Sequence, residues 1–182
     1  MAVALGHMKG PDGLKDNPSG VTQKYYVAVK GDILTLPDIQ RDPNQASTNI
    51  EVNTIVDDIL FDVDKGFIEV YSTKDTGKLT YESVGGKDGK MLMGKFEAFY
   101  PGDDNEASAK VKILKNNQLV ILVEEMDGTI KLLGSVKQYA DLDSFSKTTG
   151  NISGEEVRGF KLEFQQYEVW EMFYEGIITL LA

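Results

Sequence analysis

Few residues of this sequence could carry out a chemical reaction. The 182-residue chain has a single histidine, His7, and no cysteine. Nucleophilic catalysis through serine, histidine and an acid needs a histidine that packed neighbours hold in place. His7 instead lies near the start of a glycine- and proline-rich stretch, in a Gly-His-Met segment typical of a cloning scar. Without cysteine, thiol nucleophiles, disulfides and cysteine-based zinc sites are excluded as well. The sequence therefore predicts no nucleophilic active site.

A glycine-rich stretch, GGKDGK at 85–90, has some likeness to a phosphate-binding loop. The P-loop needs glycine at the position of Val84, and it needs serine or threonine at the position of Met91 to supply a magnesium-binding hydroxyl. Both requirements fail. We expect this stretch to form a turn between two strands, at 79–83 and 91–100.

The run DVDKG at 62–66 resembles the beginning of a calcium loop. That loop needs glycine at its sixth position and a bidentate glutamate at its twelfth, where this chain has Phe67 and Thr73. A solvated acidic turn is therefore expected. A loose calcium site that also uses Asp57 and Asp58 is the alternative.

Two further groups of residues could act on or recognise a sugar. Four glutamates on predicted strands could supply the acid pair of a glycosidase, but no pair among them stands out. They are Glu124, Glu125, Glu163 and Glu168. Four aromatic residues could stack on sugar rings, although such a cluster more often belongs to a core or a subunit interface. They are Tyr167, Trp170, Phe173 and Tyr174. A carbohydrate- or ligand-binding β-sandwich module is therefore the alternative function.

The overall charge argues against nucleic-acid binding. The chain has 29 acidic and 19 basic residues, and its formal net charge of −10 opposes binding to a phosphate backbone. Solubility is the simplest interpretation of the acidic surplus. No run approaches the length of about 18 apolar residues that indicates a membrane span, and the first residues lack the features of a secretory signal. We expect no membrane partner, no metal and no cofactor.

From Tyr25 onward the sequence has the period-two pattern of β-strands. Apolar and β-branched residues alternate with polar ones in short runs separated by glycine, asparagine or aspartate. Residues 160–164 alternate in this way, whereas 119–123 are apolar throughout and predict a strand buried on both faces. The Asp127-Gly128 pair that follows predicts an antiparallel hairpin with a type I′ turn. The predicted fold class is all-β, a mainly antiparallel β-sandwich or barrel-like domain.

The sequence also predicts a short flanking helix, an extended arm and a long loop. The helix is expected at about 104–115, because Asp103 can cap it and Glu106 can complete a capping box. Three apolar residues fall on one face of this helix: Ala107, Val111 and Leu114. Residues 1–24 are rich in glycine and proline and are expected to form the N-terminal arm. Residues 25–182 are expected to be one β domain with a long loop at about 37–66.

Several runs, taken in order, carry a resemblance to a known family. They are YYVAVKGDILTLPDI at 25–39, GFIEVYSTKDTGKLTYESVGGKDGKMLMGKFEAFYPG at 66–102, LVILVEEMDGTIKLLGS at 119–135, TTGNISGEEVRGFKLEFQ at 148–165 and YEGII at 174–178. With these runs the chain resembles the tail tube, or major tail, proteins of phages and prophages of gut bacteria, which are similar in fold to type VI secretion tube proteins. The resemblance extends over roughly 17–180 and is weakest at 40–64.

The resemblance implies a structural subunit that is not an enzyme. Such subunits assemble into rings, commonly hexameric, that stack into a tube through which DNA passes without being specifically bound. The implied partners are further copies of the chain, other tail proteins and the DNA in transit. The implied location is the virion tail, after production in the cytoplasm of the bacterial host. A lumen lined with carboxylates would repel the phosphate backbone, which gives the acidic surplus a second interpretation.

Two segments are expected to contact neighbouring subunits: the arm up to Val21 and the loop from about Leu36 to Phe61. A β domain with exposed strand edges can pair those edges between copies, and segments that become ordered only on contact make assembly controllable. Simple surface disorder of both segments is the alternative. The candidate inter-subunit contacts within the loop are Leu36, Pro37, Ile39, Ile59, Leu60 and Phe61.

Overall fold

The computed structural model describes residues 18–154 and 156–181, together with Met8 and Asp16. Within these residues the chain forms twelve β-strands, one α-helix and two short 3₁₀ helices. The predicted all-β class with one short helix is therefore confirmed. Most of the predicted arm at 1–24, including His7, lies outside the described residues, and the first strand begins at Val21.

The elements follow one another along the chain with these bounds. They are β1 Val21–Val29, a 3₁₀ helix Lys30–Asp32, β2 Ile33–Thr35, a 3₁₀ helix Ile50–Val52, β3 Thr54–Ile55, β4 Leu60–Phe61, β5 Ile68–Tyr71, β6 Lys78–Val84, β7 Met91–Pro101, α1 Asn105–Leu114, β8 Leu119–Glu125, β9 Ile130–Leu133, β10 Asp141–Thr148, β11 Gly159–Glu168 and β12 Met172–Tyr174.

The described strands form two main sheets and a small third one. The six-stranded sheet has the order β3-β12-β9-β8-β1-β5, the four-stranded sheet has the order β10-β11-β7-β6, and β2 pairs with β4. All pairings are antiparallel except that of β12 with β3. The segment predicted as a long loop at 37–66 thus contains a 3₁₀ helix and two short strands, β3 and β4.

The six-stranded sheet is buried on both faces. In β8, Leu119, Ile121 and Val123 pack into the core between the two main sheets, whereas Val120 and Leu122 pack into a second core on the opposite face. This arrangement confirms the expectation from the unbroken apolar run. The segment from about 33 to 67 covers the second core, because Ile33, Ile39, Ile55, Ile59 and Phe67 all belong to it.

The hairpin between β8 and β9 forms as predicted, but its turn is of another type. A type I′ turn needs a positive φ at both central residues, and only Gly128, with φ 87°, has one. The Gly128 amide donates to the Glu125 carbonyl, and the Asp127 carboxylate accepts from the Thr129 amide. These bonds indicate a longer loop in which a type I turn is followed by a left-handed glycine.

The N-cap of helix α1 lies one residue later than predicted. Asp104 is the N-cap, and its Oδ1 accepts from the Ala107 amide at 2.7 Å. Asp103, the predicted cap, instead pairs with Arg158 and with Lys147. Because Ala107 occupies the position where a capping box needs a glutamate, no capping box forms. The predicted apolar face is confirmed, since Ala107, Val111 and Leu114 are buried against the main core.

The glycine-rich stretch at 85–90 connects β6 to β7, as expected. Gly85 has φ 93°, and the Gly89 amide donates to the Gly86 carbonyl. A Cβ at Gly85 would lie 2.4 Å from the Gly89 carbonyl oxygen. Glycine is therefore needed at this position for both its backbone conformation and its lack of a side chain.

Candidate assembly surface

The acidic residues considered for calcium do not converge. Within 18–154 and 156–181, no group of three histidine, cysteine, aspartate or glutamate side chains could hold a metal ion. Asp58 Oδ1 accepts from the Ile177 amide at 2.6 Å, and Asp64 lies in a turn with φ 59°.

Among the residues that the structure describes, no helix has the length and apolarity needed to cross a membrane.

The aromatic residues considered for sugar binding do not form a common surface. Trp170 is 54% exposed, whereas Tyr174 is 2% exposed. The Tyr174 hydroxyl donates to the Ile177 carbonyl and accepts from the Ile59 amide. Phe173 packs under the ammonium of Lys131, with Nζ 3.5 Å from the ring centroid. Stacking a sugar on both Trp170 and Tyr174 would therefore require the chain to rearrange.

The six candidate contacts in the loop divide by burial. Ile39 and Ile59 are buried in the second core, and Leu36 and Phe61 are partly buried against it. Pro37 is also half-buried, and Leu60 is exposed. Of the six side chains, Leu60 is thus the most available to another molecule, whereas Ile39 and Ile59 already have their contacts within the chain.

Arg41 anchors the segment that carries these residues. Its guanidinium donates to both carboxylate oxygens of Glu168, at 2.7 and 3.1 Å, and to both oxygens of Asp38, at 2.7 and 3.0 Å. Burial acts to raise the pKa of Glu168, but hydrogen bonds from Arg41, Ser135 and the Val169 amide, together with the charge of Arg41, hold that pKa below its usual value. Arg41 was not predicted from the sequence; its rarity, as one of two arginines in the chain, was the available signal.

Large apolar side chains are exposed both in this segment and in the C-terminal residues. The two parts are joined because the Phe67 amide donates to the Thr179 carbonyl and the Leu181 amide donates to the Phe67 carbonyl. We refer to the following set as the apolar end: Leu34, Val56, Leu60, Val63, Ile177, Leu180 and Leu181. Exposed apolar side chains on segments that are bonded to each other are typical of interaction sites. Of these, only Leu60 is among the six candidate contacts, although Val56 also lies within the predicted contact loop.

The outer strands of the sheets differ in how well they are protected from pairing. Among the described strands, β6 and β10 are the ends of the four-stranded sheet. The pairing of β10 with β11 shifts register between Leu142 and Ser144, and such bulges discourage further pairing. By contrast, β6 pairs with β7 in unbroken register from Lys78 to Val84. The free side of β6 is therefore the more suitable edge for adding a strand.

The solvent-facing side of the four-stranded sheet carries a balanced set of charges. Lys95 and Lys161 each pair with Glu163, at 3.0 and 2.8 Å, and each also approaches Glu97, at 3.9 and 3.2 Å. The bonds from Lys161, Lys95 and Ser144 lower the pKa of Glu163 to about 2. Because two lysines face two glutamates, this central group does not contribute to the acidic surplus.

Comparison with known proteins finds no relative of this chain. The chain matches no protein-family model. No curated protein matches it at a significant level, and neither does any solved structure. The fold and the two surfaces described above, the β6 edge and the apolar end, therefore carry the functional argument.

Proposed function

We propose that this chain is a structural subunit of a phage or prophage tail tube, which assembles with copies of itself into stacked rings around a lumen that conducts DNA. It performs no bond-making chemistry. Its partners are its own copies and other tail proteins, and DNA passes without specific binding. Its place is the virion tail, after production in the cytoplasm of the bacterial host.

The regular edge at β6 is the observation that carries this proposal. Seven residues of backbone, Lys78 to Val84, have β7 on one side and no strand of the described chain on the other. An unpaired, bulge-free edge promotes association, and a ring makes use of it by pairing each copy with the next. A ring requires a head-to-tail contact, in which the β6 edge of one copy meets a different edge of the next, and it closes when the rotation between copies permits.

The apolar end and the acidic surplus support the same function. A surface that contains Leu60, Val63 and Ile177 gives a second, separate contact, as stacking of one ring on another requires. The formal net charge of −10 keeps a DNA duplex from adhering to the subunit during passage.

Proline substitution in β6 tests the proposal. Successive residues of an antiparallel edge strand point their amides alternately toward the partner strand and away from it. Thr80 and Ser83 are three positions apart, so one of the variants Thr80→Pro and Ser83→Pro removes only an outward amide and folds normally. Circular dichroism identifies that variant. Lys87→Ala, in the adjoining turn, is the matched control because it leaves the edge intact.

We expect concentrated native protein and the Lys87→Ala control to form rings or tubes in negative-stain electron microscopy, with a matching mass in light scattering. The folded proline variant should remain a monomer. Native protein that stays monomeric at every concentration, or a proline variant that assembles as well as the native chain, contradicts the proposal.

A further inference from the structure

The outer edge of β5 is bonded at both ends and open between them. β5 is an end strand of the six-stranded sheet, with β1 on its inner side. Just before β5, the Phe67 amide donates to the Thr179 carbonyl, and the Phe67 carbonyl accepts from the Leu181 amide. Just after it, the Thr73 amide donates to the Phe99 carbonyl. The C-terminal residues have thus already added to this edge, and they run parallel to it.

Two residues of β5 direct their backbone hydrogen-bonding groups away from β1. In an antiparallel pair, alternate residues exchange bonds with the partner strand. The Ser72 amide donates to the Gln23 carbonyl on the β1 side, whereas the Phe67 amide donates on the outer side. The same alternation directs the amides and carbonyls of Glu69 and Tyr71 outward. On that side no backbone bond joins either of them to another described residue.

A cavity of about 320 Å³ lies beside this open stretch, between β5 and α1. Its apolar walls include Ile68 and Val70 from β5 and Val111 and Leu114 from α1. An open sheet edge can take up an extended peptide as an added strand, where main-chain bonds supply affinity and pockets receive alternate side chains. An edge beside an apolar cavity supplies both requirements.

The charges around the cavity favour a basic occupant. Three carboxylates, those of Glu69, Asp104 and Glu106, and one ammonium, that of Lys110, belong to the lining. Lys110 is already paired with Glu106 at 2.7 Å, and Lys24, outside the lining, approaches Glu69 only to 3.8 Å. Three negative charges against one positive charge leave the lining acidic. A lysine or arginine of a bound peptide meets opposite charge there, whereas an acidic residue meets like charge.

We propose that the open edge of β5, with the cavity beside it, binds an extended peptide segment of a partner protein in which apolar residues alternate with lysine or arginine. The backbone of the segment pairs with Glu69 and Tyr71, its apolar side chains enter the cavity, and its basic side chains approach the carboxylates. About three residues of the segment span the open stretch. This binding does not rest on the proposed tube function, because β5 and β6 belong to different sheets.

Two synthetic pentapeptides, KVKVK and EVEVE, test the proposal with acetylated and amidated ends. Each is added to the ¹⁵N-labelled full chain, and amide shifts and hydrogen exchange are measured. We expect KVKVK to slow exchange at the Glu69 and Tyr71 amides, because both gain an acceptor. The Val70 amide, which already faces β1, should keep its rate. EVEVE should bind at least about 10-fold more weakly than KVKVK.

Backbone methylation separates strand addition from simple charge attraction. In an added strand, alternate amides of the peptide point toward β5. KVKVK is therefore made in two further forms, one methylated on the amide of the central lysine and one methylated on the amides of both valines. We expect one form to lose binding and the other to keep it. Equal affinity of the two forms, whether high or low, overturns the proposed strand addition.

Charge variants of the protein complete the test. The side chains of Glu69 and Glu106 are 50% and 79% exposed, so we expect the double variant Glu69→Gln and Glu106→Gln to fold. It should bind KVKVK about 2- to 30-fold more weakly. Glu82→Gln, on β6 of the other sheet, is the matched control and should bind as the native chain does.

Three further results contradict the proposal. The first is exchange at the Glu69 and Tyr71 amides that is already as slow in the free chain as at the Val70 amide, because the edge would then not be open. The second is exchange at Glu69 and Tyr71 that KVKVK leaves unchanged. The third is binding of EVEVE as tight as that of KVKVK, or no loss of affinity in the double variant.

Discussion

Arg41 and Glu168 are 127 positions apart in the chain and form a bidentate ion pair. Their side chains are 18% and 7% exposed, so the pair is largely shielded from water. Glu168 ends β11 in the four-stranded sheet, whereas Arg41 lies in the segment that covers the opposite side of the six-stranded sheet. The pair therefore ties the covering segment to the rest of the fold.

Arg41→Ala should lower the free energy of unfolding by about 2 to 4 kcal/mol, because it leaves the Glu168 carboxylate buried without its partner. Urea denaturation followed by circular dichroism measures the change. The control is Lys65→Ala, which breaks an ion pair with Asp32 whose side chains are 46% and 35% exposed. That variant should lose less than about 1 kcal/mol. Equal losses in the two variants would show that the Arg41 pair has no special structural role.

The parts of the fold that depend on local pattern could be predicted from the sequence. The apolar run at 119–123 has no polar face, so a strand buried on both sides was its simplest outcome. The cap of α1 was harder, because Asp103 and Asp104 are adjacent acids and either can cap a helix. Their roles are decided by tertiary contacts, since Arg158 and Lys147 pair with Asp103.

The covering segment could not be predicted, because its order depends on partners far away in the sequence. Arg41 lies in a polar run without periodicity, and nothing in that run indicates Glu168 as its partner. Ile39 and Ile59 were identified as apolar residues in a loop, but local pattern does not distinguish contact with the chain's own core from contact with another copy. The position of β6 at the edge of its sheet could not be predicted either, because strand order is set by pairing across the whole chain.

Glu163→Gln should change how stability depends on pH. The pKa of Glu163 is lowered to about 2 in the folded chain, and an unfolded glutamate has a pKa of about 4.3. Its charged form therefore stabilises the fold above about pH 4.3, and this contribution is lost as the pH falls toward about 2. We expect the free energy of unfolding at pH 7 to be up to about 1 kcal/mol higher for the native chain than for the variant. The difference should shrink below about pH 4.3.

Urea titrations between pH 2.5 and 7 would measure this difference. Glu82→Gln is the matched control: Glu82 lies on β6 of the same four-stranded sheet, and no ion pair joins it to another described residue. A difference in free energy of unfolding between native and Glu163→Gln protein that stays constant over the whole pH range would contradict the stabilisation of the Glu163 charge by Lys95 and Lys161.

Asp104→Ala should lower the free energy of unfolding by about 1 kcal/mol, because the Ala107 amide loses the acceptor that caps α1. Asp104→Ser retains a good capping oxygen and should stay within a few tenths of a kcal/mol of the native chain. Thermal unfolding followed by circular dichroism at 222 nm compares the stabilities of the two variants. We expect a single cooperative transition for each, as is usual for a small single domain. Similar destabilisation by serine and alanine would indicate that the Asp104 charge, and not its cap, stabilises the helix.

Tyr174→Phe tests how β12 holds the covering segment in place. The Tyr174 hydroxyl accepts from the Ile59 amide at 3.2 Å and donates to the Ile177 carbonyl at 3.0 Å. Removing it leaves a buried amide without an acceptor, which should cost about 1 to 3 kcal/mol. Because Ile59 belongs to the covering segment, hydrogen exchange at its amide should accelerate while the amides of β8 keep their protection. Trp170→Phe, at an exposed aromatic residue close by in sequence, is the control and should leave the Ile59 amide unchanged. Exchange that accelerates equally in β8 and at Ile59 would mean that the segment does not open separately, and that the hydroxyl stabilises the whole fold.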